Sequence, residues 1–247
     1  EVNSYAILPC IPLIKGNHSQ IDMDKGLTPY LLALGPIVMF IGFMTWPGGG
    51  TDDSILLGQE YLDDVTTVDL NMLYLSILIT ATGILMIFGG FFLLSQDLMA
   101  KSGKMQQDLF MLSRIGFMFT FVVFYLFFAL SLESAFIAQG ENDDYASDPA
   151  LADQLVMDTY YMSQSIWSSM PIAWGTALIL FGIAAITGNN APKKPVEWAY
   201  AVPIFAGLGL ITFLWNGGDD LFFFFSIFCA APIGFLMLAG QLDEEAE

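Results

Sequence analysis

Six stretches of this chain, 30–46, 72–94, 115–138, 166–188, 198–215 and 221–240, contain a single carboxylate, Glu133, and no lysine or arginine. Most are about as long as the ~20 residues that carry a helix across a bilayer core. Lipid offers no water to backbone N–H and C=O groups, so a spanning run of this kind must satisfy them internally, as a helix. The fold class expected is therefore an all-α integral membrane protein with six transmembrane helices. The domains are an N-terminal arm at 1–29, a membrane domain at 30–240 and an acidic tail at 241–247.

Charge placement sets the expected orientation. The seven basic residues are Lys15, Lys25, Lys101, Lys104, Arg114, Lys193 and Lys194. With six spans, all of them fall on one side, and the positive-inside rule makes that side cytoplasmic. Both termini are then inside, and the spans pair as three outward-pointing hairpins. A cell (plasma) membrane location with the acidic loops outside follows as an expectation.

The net charge of −18 comes from carboxylates that lie almost entirely between the spans. Nucleic-acid binding is disfavoured, because phosphate contacts need clustered Lys and Arg. Solvated turns are the plainer reading of such charge runs. The sharper reading is cation attraction at the outer face by Asp52, Asp53, Asp143, Asp144, Asp219 and Asp220, together with Glu133 near the outer end of the third span. The calcium-loop spacing of an EF-hand is absent, since Ala146 stands where a ligand is needed after Asn142 and Asp144.

The hairpins resemble one another in sequence. Trp46 is followed by a Gly-rich turn and Asp52-Asp53, and Trp215 by Asn216, Gly217, Gly218, Asp219 and Asp220. Pro36-Ile37 parallels Pro203-Ile204, Thr45 parallels Thr212, and Ser76-Ile77 parallels Ser226-Ile227. Gly83 and Gly89, Gly182 and Gly188, and Gly234 and Gly240 recur in the returning helices. An internal pseudo-repeat is the expectation, with a small apolar alphabet as its competitor.

Glycines seven residues apart share a helix face. Gly35 with Gly42, Gly83 with Gly90, and Gly175 with Gly182 are accordingly helix-packing candidates, since small residues let helices in lipid approach closely. Two features suggest helices outside the spans: Met105, Leu109 and Leu112 lead into the third span, and Ser147-Asp148-Pro149 has the form of a helix start.

Signs of catalysis are missing from the sequence. Two cysteines, Cys10 and Cys229, give neither a disulfide framework nor metal spacing. His18 is the one histidine and lies outside every span, which disfavours paired-His haem, copper and zinc sites. Gly217-Gly218-Asp219-Asp220 lacks the Gly-x-Gly-Asp pattern of intramembrane aspartyl proteases. The expectation is no catalytic residue, no metal site and no cofactor. The chain then reads as a non-catalytic multi-pass accessory or structural subunit, with the lipid bilayer and other membrane-protein subunits as partners. The alternative is a cation channel or transporter with an acidic outer vestibule, its helices broken near mid-bilayer at Pro36 and Pro203.

Overall fold

A computed structural model describes residues 26–46, 59–140, 148–216 and 220–242. Among these the secondary structure is helical. The elements are α1 (Thr28–Met44), α2 (Gln59–Thr67), α3 (Leu70–Met99), α4 (Lys104–Ala138), α5 (Pro149–Ile186), α6 (Val202–Asn216), α7 (Asp220–Phe228) and α8 (Ala230–Leu238). Five helical segments are long and apolar enough to cross a membrane: α3, α4, α5, Pro195–Thr212 and Leu221–Leu238. The shorter apolar helix α1 joins them. Exposed Leu78, Leu85, Ile115, Phe119, Ile172, Leu208 and Phe225 form an apolar outer surface of the kind a bilayer covers. The chain is a multi-pass helical membrane protein.

Helix ends follow local chemistry. The Asp69 carboxylate caps α3, accepting hydrogen bonds from the Asn71 and Met72 amides at 2.9 and 3.2 Å. Asp148 caps α5 through the Leu151 amide, with Pro149 at the first helical position. After α8, the Gln241 amide reaches the Leu236 carbonyl and the Gly240 amide that of Met237. That pair is a Schellman closure, and it needs the positive φ of 70° that Gly240 supplies.

The expected helix start at Ser147-Asp148-Pro149 does not open a separate loop helix. It opens α5, which runs unbroken to Ile186 and absorbs much of the stretch expected to be loop. The segment at Met105–Ser113 likewise continues into the third span as one helix, α4. At about 1.5 Å per residue, the 35 residues of α4 and 38 of α5 exceed a core of about 30 Å. The surplus projects beyond it.

Two spans differ from the continuous helices expected. Residues 195–201 form a 3-10 turn that leads into α6. The last span is interrupted at Cys229, between α7 and α8. Pro232 explains the second break: it lacks an N–H for the Phe228 carbonyl, and its ring crowds that carbonyl. Pro36 sits inside an intact α1, and Pro203 near the start of α6. Neither breaks a helix at its middle.

The spans form a closed ring. Successive helices pack on one another from α1 through α3, α4, α5 and α6 to α7, and α8 returns to α1. Aromatic side chains fill the middle. Trp174 of α5 meets Phe88 of α3 at 5.4 Å, Phe124 of α4 at 5.8 Å and Phe223 of α7 at 6.0 Å, each edge to face. Phe91 stacks on Phe117 at 5.1 Å. Along α4, Phe117, Phe124 and Phe128 are buried while Phe119, Val122 and Leu126 face outward, the alternation expected of one helix with a core and a lipid side.

A second, smaller core lies at one end. Leu62 and Val65 of α2 pack with Leu73, Ala135, Ile137 and Val156. Gln139 pins α2 there, donating from Nε2 to the Val65 and Val68 carbonyls at 3.1 and 2.7 Å.

Candidate functional site

Polar groups concentrate at the two ends of the ring. At the end that carries α2, Asp69 and Asp148 serve as helix caps. Glu133 is exposed on α4. Asp220 is the first residue of α7. Asp52, Asp53, Asp143, Asp144 and Asp219 lie outside the described residues, as do most of the expected arm at 1–29 and the tail beyond Leu242. Among the described residues, no group of three or more His, Cys, Asp or Glu could hold a metal ion.

The opposite end is tied by amides. Asn190 donates from Nδ2 to the Ser102 hydroxyl at 2.6 Å and to the Ala184 carbonyl at 3.1 Å. Gln107 Nε2 reaches the Ser102 carbonyl at 2.9 Å. These bonds join the α3–α4 turn, with Lys101 and Lys104, to the turn before Lys193 and Lys194. Lys104 pairs with Asp108 at 2.7 Å across one helical turn. Sequence spacing gave no sign of this amide staple, because its members are separated by up to 88 residues.

Between the ends, the buried polar side chains are small hydroxyls that bond to carbonyls. Thr80 and Ser95 satisfy themselves within their own helix. Ser76 reaches the Thr45 carbonyl at 2.7 Å, Ser113 that of Ala177 at 2.8 Å, and Ser226 that of Ala206 at 3.1 Å. These three cross between helices. Trp174 Nε1 is buried without a hydrogen-bond partner, amid the aromatic rings just described.

The six packing glycines fall into two interfaces. Gly35, Gly42, Gly83 and Gly90 line the contact between α1 and α3. A Cβ added at Gly35 would lie 2.9 Å from the Ile87 amide nitrogen, one at Gly42 2.8 Å from Thr80 Cα, one at Gly83 2.5 Å from Met39 Cα and one at Gly90 2.8 Å from Leu32 Cγ. The pairs step along the two antiparallel helices without slipping. Gly175 and Gly182 instead face α6, against the Gly207 carbonyl and Ile204. Gly207 and Gly234, absent from the spacing pattern, make comparable contacts with Gly175 and with Leu32 and Ala33.

Residues matched in sequence do not make matched contacts. Gly83 faces its hairpin mate α1, but Gly182 faces α6 and Gly234 faces α1. Ser76 bonds at Thr45, near the end of α1, whereas Ser226 bonds at Ala206, near the start of α6. By sequence, three residues separate α6 from α7, whereas the stretch that contains α2 separates α1 from α3.

No protein-family model, curated protein or solved structure matches this chain.

Proposed function

We propose that the chain is a non-catalytic accessory or structural subunit of a larger membrane assembly. The observation that carries this reading is the filled interior. Phe88, Phe91, Phe117, Phe124, Trp174 and Phe181 occupy the middle of the ring, and the buried hydroxyls beside them are bonded to carbonyls rather than lining a polar path. Transport chemistry uses ionisable groups within the bilayer, and among the described residues the buried polar side chains are Ser, Thr and Gln. Outside, Tyr161 and Met162 of α5 and Phe205 of α6 are exposed, large adaptable side chains of the kind that partner helices use.

The finer topology belongs to the same proposal: three outward hairpins, basic end cytoplasmic, acidic loops outside, in the cell membrane. Impermeant-thiol labelling of cysteines introduced at 101 and 194 in sealed cells tests it, and labelling from outside refutes it. The pseudo-repeat is proposed as a sequence-level kinship, since contact registers differ between hairpins. Gentle solubilisation followed by native mass spectrometry tests the subunit reading. A discrete complex is expected, and a persistently monomeric chain refutes it. Cation flux in proteoliposomes that falls in Asp219→Asn and Asp220→Asn would instead favour the channel.

A further inference from the structure

On the outside of the ring, α3 and α4 leave an apolar groove of about 450 Å³, lined by Phe92, Arg114, Ile115, Met118, Phe119 and Val122 among others. That volume lies within the ~300–1,000 Å³ typical of small-molecule sites. Ile115, Met118, Phe119 and Val122 recur at helical spacing and are about half exposed, so the groove opens toward the bilayer.

One cation sits in it. The Arg114 guanidinium carbon lies 3.8 Å above the Phe92 ring centroid. Its Nη1 faces the Met99 sulfur at 3.8 Å, and its Nε is buried with no hydrogen-bond partner. No carboxylate among the described residues forms an ion pair with it; Asp108, its neighbour on α4, pairs with Lys104 instead.

Such a cation, desolvated on one side by a ring and a thioether, is costly unless an anion completes it. The groove beside it suits a hydrocarbon chain. A phospholipid supplies both groups on one molecule. The position agrees: Arg114 belongs to the end of the ring where Lys101, Lys104, Lys193 and Lys194 gather, and basic pockets between helices at that level hold anionic headgroups. Val122 lies eight residues further along α4, about 12 Å deeper into the bilayer at 1.5 Å per residue, the direction an acyl chain must take. The planar guanidinium fork also matches phosphate oxygens.

We propose that this groove holds one anionic phospholipid, its phosphate on Arg114 and one acyl chain along Ile115, Met118, Phe119 and Val122. The test is native mass spectrometry of the full chain in mild detergent, titrated with dioleoyl phosphatidylglycerol or with dioleoyl phosphatidylcholine. The wild type should take up one phosphatidylglycerol with about tenfold preference, which corresponds to about 1.4 kcal/mol. Arg114→Gln should abolish the preference while circular dichroism and elution volume stay unchanged. Val122→Trp keeps the cation and fills the groove, so it should lower binding of both lipids. Equal uptake of the two lipids by wild type overturns the proposal, as does a preference that survives Arg114→Gln. Inorganic phosphate that displaces the lipid at millimolar concentration would make this a free-anion site and overturn it too. A co-purifying protein lost specifically in Arg114→Gln would assign the groove to a partner helix, with the same consequence.

Discussion

Replacing Gly83 by Ala adds one methyl group where α3 lies against the α1 backbone. The new Cβ would stand 2.5 Å from Met39 Cα and closer still to the Met39 amide nitrogen, while ordinary contact begins at 3.4 Å. Met39 is fully buried, so it has no solvent side to yield into. The helices must part by about 1 Å, and a gap of that size forfeits roughly a quarter to a half of the dispersion attraction across it. Because backbone rather than a flexible side chain obstructs the methyl, the expected cost is about 3 kcal/mol, the upper part of the usual overpacking range. Replacing a helical Gly by Ala returns up to about 1 kcal/mol of helix propensity, leaving a net loss of roughly 2 kcal/mol. Gly89 provides the control. Its added Cβ would meet only Leu31 Cδ1 at 4.0 Å, so Gly89→Ala should be neutral or stabilising by up to about 1 kcal/mol. Reversible unfolding of both variants by SDS in mixed micelles, followed by circular dichroism, compares them directly. Equal stability of Gly83→Ala and wild type would refute the close-approach reasoning. So would an equal loss in Gly89→Ala, since composition rather than contact would then govern.

Ser113→Ala removes the hydroxyl that crosses to the Ala177 carbonyl and should cost about 0.6 kcal/mol, near the average for interhelical bonds in lipid; the same unfolding assay reads it. Trp174→Ala empties the centre of the aromatic core and should cost about 3–5 kcal/mol, seen as loss of a monodisperse elution peak at moderate temperature. Asp148→Ala deletes the α5 cap for about 1 kcal/mol, with amide exchange rising first at residues 150–152. In a Cys10→Ser background, Cys229, which is buried and donates to the Ser226 carbonyl, should resist maleimide until the bundle unfolds; rapid labelling of the folded protein would contradict its placement.

How much of this was legible beforehand differs by kind of feature. Helical class, the approximate spans and the start of a helix at Asp148-Pro149 were readable because each rests on local physics: backbone satisfaction in lipid, capping and the fixed φ of proline. The continuity of α5 was not readable, since Tyr160, Tyr161 and Gln164 lower the hydropathy of its first half without breaking its helix. Of the glycines spaced seven residues apart, four lie on the α1–α3 contact and two on α5 against α6. Gly207 and Gly234 make equally close contacts with neighbouring helices but have no glycine seven residues away to mark them. Of the proposed cation-attracting residues, five lie outside the described residues, and Glu133 is an exposed side chain.

By itself, then, the amino-acid order determined that the chain enters lipid as helices and that, among the described residues, Lys101 and Lys104 and Lys193 and Lys194 fall in or beside the turns between spans. Both follow from what a single segment can do with its own backbone and its own charge. Tertiary structure decided the rest: α8 closing onto α1, Trp174 at the centre of four helices, Asn190 tying distant turns, and Arg114 held over Phe92 beside an open groove. Each of those depends on which surfaces of separate helices meet, and periodicity within one helix carries no record of its neighbour.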